Sequence, residues 1–137
     1  MLVISMRFNE LRGKVKIGFS VDRNRYIIGK LDNVPGFSNE VFAVIKDKNE
    51  VTAIFQEGAD LQVICGEKFF RIITFEARLP FELTGFLSYV STLLANEDIP
   101  IFVISTYSTD HLLVREEHLD KAVKVLQKNG FVLTQGH

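Results

Sequence analysis

The chain is poor in the features that mark several large functional classes. Its single cysteine, Cys65, cannot close an intramolecular disulfide or build a cysteine-rich zinc site, which suits a reducing cytoplasm. Neither charge is in surplus: 16 basic and 17 acidic residues are interspersed, for a formal net charge of −1. No whole-molecule field then draws in DNA, RNA or an anionic membrane, and small neutral or zwitterionic ligands or other proteins fit better as partners. No stretch approaches the roughly 20 apolar residues of a membrane span. The opening MLVISMRFNELR holds only a few apolar residues before Arg7, too few for the apolar core of a secretion signal. The expectation is a soluble, cytoplasmic protein.

What the chain does have is apolar bulk. In 137 residues, 47% are hydrophobic and 12 are Phe, which argues for a compact core and against disorder. That length suits one ordinary domain, or two very small ones sharing a core.

From about Lys68 onward the pattern is legible. FFRIITFEARL is rich in Phe and Ile, favouring a strand that Pro80 ends. Leu83, Phe86, Leu87, Val90 and Leu94 then form one stripe at helical spacing, predicting a helix over about residues 83–96. IPIFVIS and HLLVR read as strands on either side of a hydroxyl cluster. Leu119, Ala122, Val123 and Leu126 predict a second helix. Glu116 and Glu117 in its first turn, Lys128 in its last, and Asn129 and Gly130 at its exit agree with the helix dipole and a left-handed cap. FVLTQ closes as a strand. The order is βαββαβ, so the expected fold class is α+β, a ferredoxin-like plait with two helices on one face of an antiparallel sheet.

The first half is noisier. VKIGFSV, RYIIGKL, VFAVIKD and EVTAIFQ all read as strands, with Lys48 and Asn49 at a hairpin turn between the last two. Only DNVPGFSNE and EGAD stand where a plait would place its helices, and the first carries Pro35 and Gly36. A trimmed, strand-rich plait that packs onto the second half is expected. No low-complexity linker intervenes, which favours a rigid pair. The expected units are residues 14–67, degenerate, and 68–137.

The hydroxyl cluster Ser105, Thr106, Tyr107, Ser108, Thr109 and Asp110, followed by His111, is the chain's most conspicuous polar run. Ser108, Asp110 and His111 are the residue types of a hydrolytic triad. However, adjacent strand residues point to opposite faces, so Asp110 cannot hold His111, and no G-x-S-x-G elbow exists. Catalytic residues are therefore not expected. Cys65, lone in an apolar strand, is expected to be packed. His111, His118 and His137 show no i, i+4 pair, so neither a metal site nor any cofactor is expected. An RNA-recognition module shares this strand order, but HLLVRE has no aromatic for base stacking. A small-molecule site remains. The helix start PFELTGF offers unpaired N–H groups and a positive dipole end for a carboxylate, and Gly85 leaves the approach open. Plait topology brings residues 106–110 near Gly85, making Asp110 a candidate ammonium acceptor. The other reading is a plain hairpin turn, with Asp110 bonding local N–H groups and Gly85 allowing helix-to-strand contact.

The stretch from Phe81 to Gly85, a Phe-x-x-x-Gly helix start, followed by IPIFVISTYSTD at residues 99–110 and LLVRE, resembles the ACT domain. More closely it resembles short two-ACT proteins related to the ACT region of aspartate kinases and to animal cytosolic arginine sensors. The resemblance covers about the last 70 residues; the first half matches in strand order only, where that family carries a degraded ACT unit. It implies two ACT plaits in tandem, side-by-side pairing, and a free amino acid held between first-helix starts and the second-to-third-strand turn. Gly85 and Phe86 would face the ligand, and Thr106, Tyr107 and Asp110 would contact it. The implied protein is a non-enzymatic regulatory sensor, a homodimer acting on a separate regulated protein. The alternative is a ligand-free interaction or structural module that dimerises through the same surface.

Overall fold

Val, Ile, Leu and Phe are abundant, and strands hold more of the chain than helices do. A computed structural model describes residues 6–13, 15–78, 80 and 83–135. In chain order the elements are β1 (Met6–Arg7), α1 (Phe8–Leu11), β2 (Gly18–Val21), β3 (Tyr26–Leu31), β4 (Val41–Lys46), β5 (Val51–Gln56), β6 (Val63–Phe75) and β7 (Leu83–Thr84). Then come α2 (Phe86–Ala95), β8 (Phe102–Ser105), β9 (Asp110–Arg115), α3 (Glu116–Lys128) and β10 (Val132–Gln135). The βαββαβ order expected of the second half is present as β6-α2-β8-β9-α3-β10, and the fold is α+β.

β6 organises the sheet. It is a single strand of 13 residues that joins LQVIC to FFRIITF. β9 pairs antiparallel along one side of its C-terminal part, from Phe70↔Arg115 to Thr74↔His111, and β8 pairs with β9. Along its other side lie β2, from Phe19↔Phe75 to Val21↔Ile73, and then β3, from Tyr26↔Phe70 to Leu31↔Val63. The sheet branches there, because β10 adds to β2 in parallel while β5 and then β4 add to β3. The boundary expected between residues 67 and 68 thus falls inside one strand, and β2 from the first half separates β6 from β10. Gly66, Glu67 and Lys68 interrupt the apolar pattern on either side of that boundary. In the fold Gly66 is a close approach to β3, where a Cβ would come within 3.2 Å of Ile27 Cγ2.

The branch point has its own polar scaffold. Arg71, 8% exposed, donates from Nε and Nη2 to the Asp22 carbonyl at 3.1 and 2.8 Å. Its Nη1 lies 3.4 Å from Glu116 Oε1. A buried guanidinium needs such partners, because desolvating an unpaired charge is costly. Tyr26 donates its hydroxyl to Asp22 Oδ2 at 3.0 Å. Burial first, then the Asp22 carboxylate, push the Tyr26 phenol up to about 12.

Alternation along the strands feeds two cores. Phe19, Val21, Ile73, Phe75, Leu112 and Val114 meet Phe86, Val90 and Leu94 of α2 and Leu119, Ala122, Val123 and Leu126 of α3. Their neighbours Phe70, Ile72 and Leu113 face the other way, where Tyr26 and Ile54 cover them with Ile28, Phe42, Ala43 and Ile104. The first half therefore packs onto the second through this cluster. Each such side chain contributes about 1.5–3 kcal/mol when removed from water. A third cluster, Leu31, Val51, Ala53 and Phe55, lies with Ala59 and Leu61 of the loop after β5.

α3 starts at Glu116 and ends at Lys128, with Gly130 at φ +94°, as its charges and cap suggested. The β4–β5 hairpin turns where expected, and Asp47 Oδ1 accepts from the N–H groups of Asn49 and Glu50 at 2.7 and 2.9 Å. Those bonds hold the Asp47 carboxyl below its ordinary value. α2 is shorter than the stripe suggested. Leu83 and Thr84 form a strand paired with β1, and the helix begins after Gly85. Cys65 is exposed, against the expectation of packing, because it sits in the outer, solvent-facing part of β6.

Candidate functional site

Gly85 precedes α2 as its cap residue, with φ +91° and ψ −8°, and offers no side-chain hydrogen bond to the helix start. A Cβ added there would meet only Phe8 Cβ, at an ordinary 3.9 Å. The left-handed backbone, and not crowding, is what calls for glycine. The Gly85 carbonyl accepts the first helical bond, from the Tyr89 N–H at 2.9 Å. The N–H groups of the first turn are the unpaired donors that every helix start presents.

Facing them is the hydroxyl cluster. Ser105 and Asp110 form the last pair of the β8–β9 ladder, and the Thr106 N–H donates to the Thr109 carbonyl at 2.8 Å. Residues 106–109 are thus a tight hairpin turn. The Thr106 hydroxyl also donates to the Thr109 carbonyl at 3.1 Å, and Thr109 Oγ1 donates to the Phe75 carbonyl at 2.8 Å. The Ser105 hydroxyl donates to Asp110 Oδ1. A cleft of about 320 Å³ separates turn and helix, lined by Pro80, Leu83, Gly85, Phe86, Leu87, Ser88 and residues 105–110. All five residues singled out in the sequence, Gly85, Phe86, Thr106, Tyr107 and Asp110, therefore meet in one place. Phe81 of the helix-start motif and His137 lie outside the described residues.

Their orientations differ. Tyr107 is 70% exposed at the rim, with the Arg78 guanidinium 5.6 Å from its ring centre. Asp110 is half-buried. Phe86 was expected to face a ligand, but its ring is only 4% exposed and stands edge-on to Phe8 at 5.1 Å and Phe75 at 5.0 Å. The helix stripe already placed it in the core, and one side chain cannot serve both faces. What it can offer the cleft is its backbone N–H.

His111 stands behind the turn. Its Nδ1 lies 2.8 Å from Thr74 Oγ1, its Nε2 lies 3.3 Å from Thr106 Oγ1, and its ring meets Phe42 edge-on at 5.2 Å. Neither ring nitrogen is held by Asp110, as strand alternation requires. Burial lowers the His111 pKa below its ordinary value, against the opposing pull of Asp110 and Glu76. A neutral ring suits two hydroxyl partners, since each hydroxyl can donate or accept.

Ser88, which lines the cleft, and Arg78, which stands over Tyr107 at its rim, were not anticipated from the sequence. Ser88 follows Gly85 by three, the spacing that returns a side chain to the helix start. Arg78 had no signal beyond standing between a strand and a glycine-led helix. Among the described residues, no group of three or more His, Cys, Asp or Glu could hold a metal ion, and no helix is long and apolar enough to cross a membrane.

Residues 66–128 match the ACT domain family. The matched stretch opens within β6 and closes with α3, so it contains both walls of the cleft. A solved protein of Agrobacterium tumefaciens is 25% identical, with 90% of this chain and 96% of that one aligned and a TM-score of 0.77. A protein of unknown function from Vibrio cholerae, called a possible transport protein, is 21% identical over 84% of this chain and 91% of that one, with a TM-score of 0.65. The ligand-free regulatory subunit of aspartate kinase from Thermus thermophilus is 9% identical over 82% and 95%, with a TM-score of 0.61. The last two, at such identities, establish the fold. No curated protein matches the chain in sequence.

Proposed function

We propose that this protein is a non-enzymatic regulatory module that binds a free amino acid, because residues 66–128 match the ACT domain family and the fold is similar to that of an aspartate kinase regulatory subunit. The observation that carries the reading is the single cleft in which an uncapped helix start faces a half-buried carboxylate. In this reading the first N–H groups of α2 and the positive end of its dipole hold the ligand carboxylate. Asp110 accepts from the ammonium group, while Thr106 and Tyr107 orient it. Gly85 keeps the backbone reachable. His111 lies between the Thr74 and Thr106 hydroxyls and is not held by Asp110, so Ser108, Asp110 and His111 do not form a triad.

The same surface favours a homodimer. Among the described residues β8 is an edge strand paired on one side only, and it exposes Phe102 at 51% and Val103 at 38%. Unpaired edges with apolar side chains are natural templates for a second copy. In such a pair two clefts lie close together, and a separate regulated protein reads the ligand-bound form. The exposed thiol of Cys65 suits a reducing, cytoplasmic setting. The second reading, a ligand-free module that only dimerises, draws on the same edge.

A thermal-shift screen against the twenty amino acids separates them. A ligand at 100 times its Kd adds about 2.7 kcal/mol, several degrees for a chain of this size. Asp110→Asn should erase that shift while leaving the unliganded Tm almost unchanged. No shift with any amino acid at millimolar concentration selects the ligand-free reading.

A further inference from the structure

A second cleft, of about 410 Å³, lies where the N-terminal segment passes the end of α3. Its residues do not overlap those of the amino-acid cleft. Three cations stand around it, Arg12, Lys16 and Lys128, and among the described residues no acidic one lines it. Among the described residues the ion pairs engage Arg25, Lys30, Arg71, Arg115 and His118, and none of these three cations. Such clustering stands out in a chain whose charges otherwise balance at 16 against 17. One cation has an ordinary explanation: Lys128 complements the negative end of the α3 dipole. Arg12 closes the four-residue α1 as its C-cap, whereas Lys16 comes from the segment after it and has no helix end to serve.

The floor is aromatic. The Arg12 guanidinium lies 4.4 Å from the Tyr89 ring centre. Tyr89 in turn leans on Phe8 at 5.3 Å and Phe131 at 6.3 Å. Gly13 at φ +85° and Gly130 at φ +94° bend the two walls, and a Cβ at either would meet nothing within 4 Å. The mouth is therefore open between two left-handed turns.

We propose that this cleft is a binding site for a nucleoside phosphate. The chemistry asks for two things at once. Three unneutralised cations call for a multiply charged anion, with the Arg12 guanidinium suited to bidentate phosphate contact. The exposed Arg12 guanidinium, laid over the half-buried Tyr89 ring, calls for a flat ring on its outer face, because planar groups stack regardless of their hydrogen-bonding edges. A nucleoside diphosphate supplies both at the separation of one sugar. The site is independent of the amino-acid cleft, and α2 touches both, through Tyr89 on one side and through Gly85 to Ser88 on the other.

Isothermal titration of the full chain with ADP, pyrophosphate and adenosine tests this. ADP should bind with measurable heat at low salt and lose affinity as salt rises. Pyrophosphate and adenosine should each bind about tenfold more weakly or worse. Lys16→Gln combined with Lys128→Gln, both at exposed positions, should preserve Tm and lower ADP affinity at least about tenfold. Arg12→Gln should do the same. The proposal is overturned if ADP gives no heat at millimolar concentration, binds no tighter than pyrophosphate, or binds the double variant as well as the parent.

Discussion

Replacing Gly85 by alanine should destabilise the protein, and the sign of the effect is the informative part. The helical stripe from Leu83 to Leu94 would place residue 85 inside a helix, where alanine is better than glycine by about 1 kcal/mol. In the structure Gly85 sits at φ +91°, outside the helix it caps. An L-residue held in that conformation costs roughly 1–2 kcal/mol. Crowding adds little, since the new Cβ would meet only Phe8 Cβ at 3.9 Å. Urea unfolding with a slope of about 2 kcal/mol/M would then show the midpoint falling by roughly 0.5–1 M at unchanged slope. Gly130→Ala is the matched control, because it has φ +94°, nothing within 4 Å, and no part in the cleft beside Gly85. Both variants should lose similar stability. A neutral or stabilising Gly85→Ala would refute the cap assignment and restore the helix-interior reading.

Three further outcomes are expected. Phe69 holds φ +66° at a bulge in β6 with its ring 48% exposed, so Phe69→Gly should be neutral or stabilising by up to about 1 kcal/mol in chemical unfolding; a clear loss would mean the ring anchors the bulge. Arg71→Met removes a buried cation that ties the branch point to α3, and should cost about 1–3 kcal/mol while unfolding stays a single transition by fluorescence and circular dichroism; two separate transitions would show that the halves unfold independently. Burial holds the His111 pKa below its ordinary 6.5, so its contribution is complete above that pH. It is then lost as pH falls from there toward the folded value, at up to about 1.4 kcal/mol per pH unit; His111→Gln should flatten that slope in urea midpoints measured from pH 7.5 to 5, and an unchanged slope would assign it elsewhere.

Local rules read well where one residue's neighbours in sequence are also its neighbours in space. α3 declares itself through Glu116, Glu117, Lys128 and Gly130 because dipole and cap act within a turn. The Asp47 hairpin and the turn at residues 106–109 are equally local. The meeting of Asp110 with Gly85 was legible only through topology, since the plait order sets which loop reaches which helix start. Other features left no periodic trace. Phe8 is buried among Phe86 and Tyr89, yet it stands alone in a polar stretch, and one apolar residue makes no pattern. β2 reads as a strand, but nothing in VKIGFSV states that it enters between β6 and β10. The continuity of β6 was hidden by Gly66, Glu67 and Lys68, because an exposed strand segment needs no apolar alternation.

The seat of β2 also has a consequence for biosynthesis. Its partner β10 lies roughly 110 residues downstream, and the pairing Val132↔Gly18 forms only once that later segment is available. At about 5–20 residues per second, a ribosome leaves β2 without that neighbour for roughly 6–22 s. The first half cannot close its sheet before β6 arrives either, since β3 pairs with it. The sheet therefore stays incomplete until β10 has been made, and the nascent chain carries unpaired Val- and Ile-rich edges until then. A cell making this protein in quantity must shield those edges, so its yield should respond to holdase chaperones more than a helical chain of equal length would.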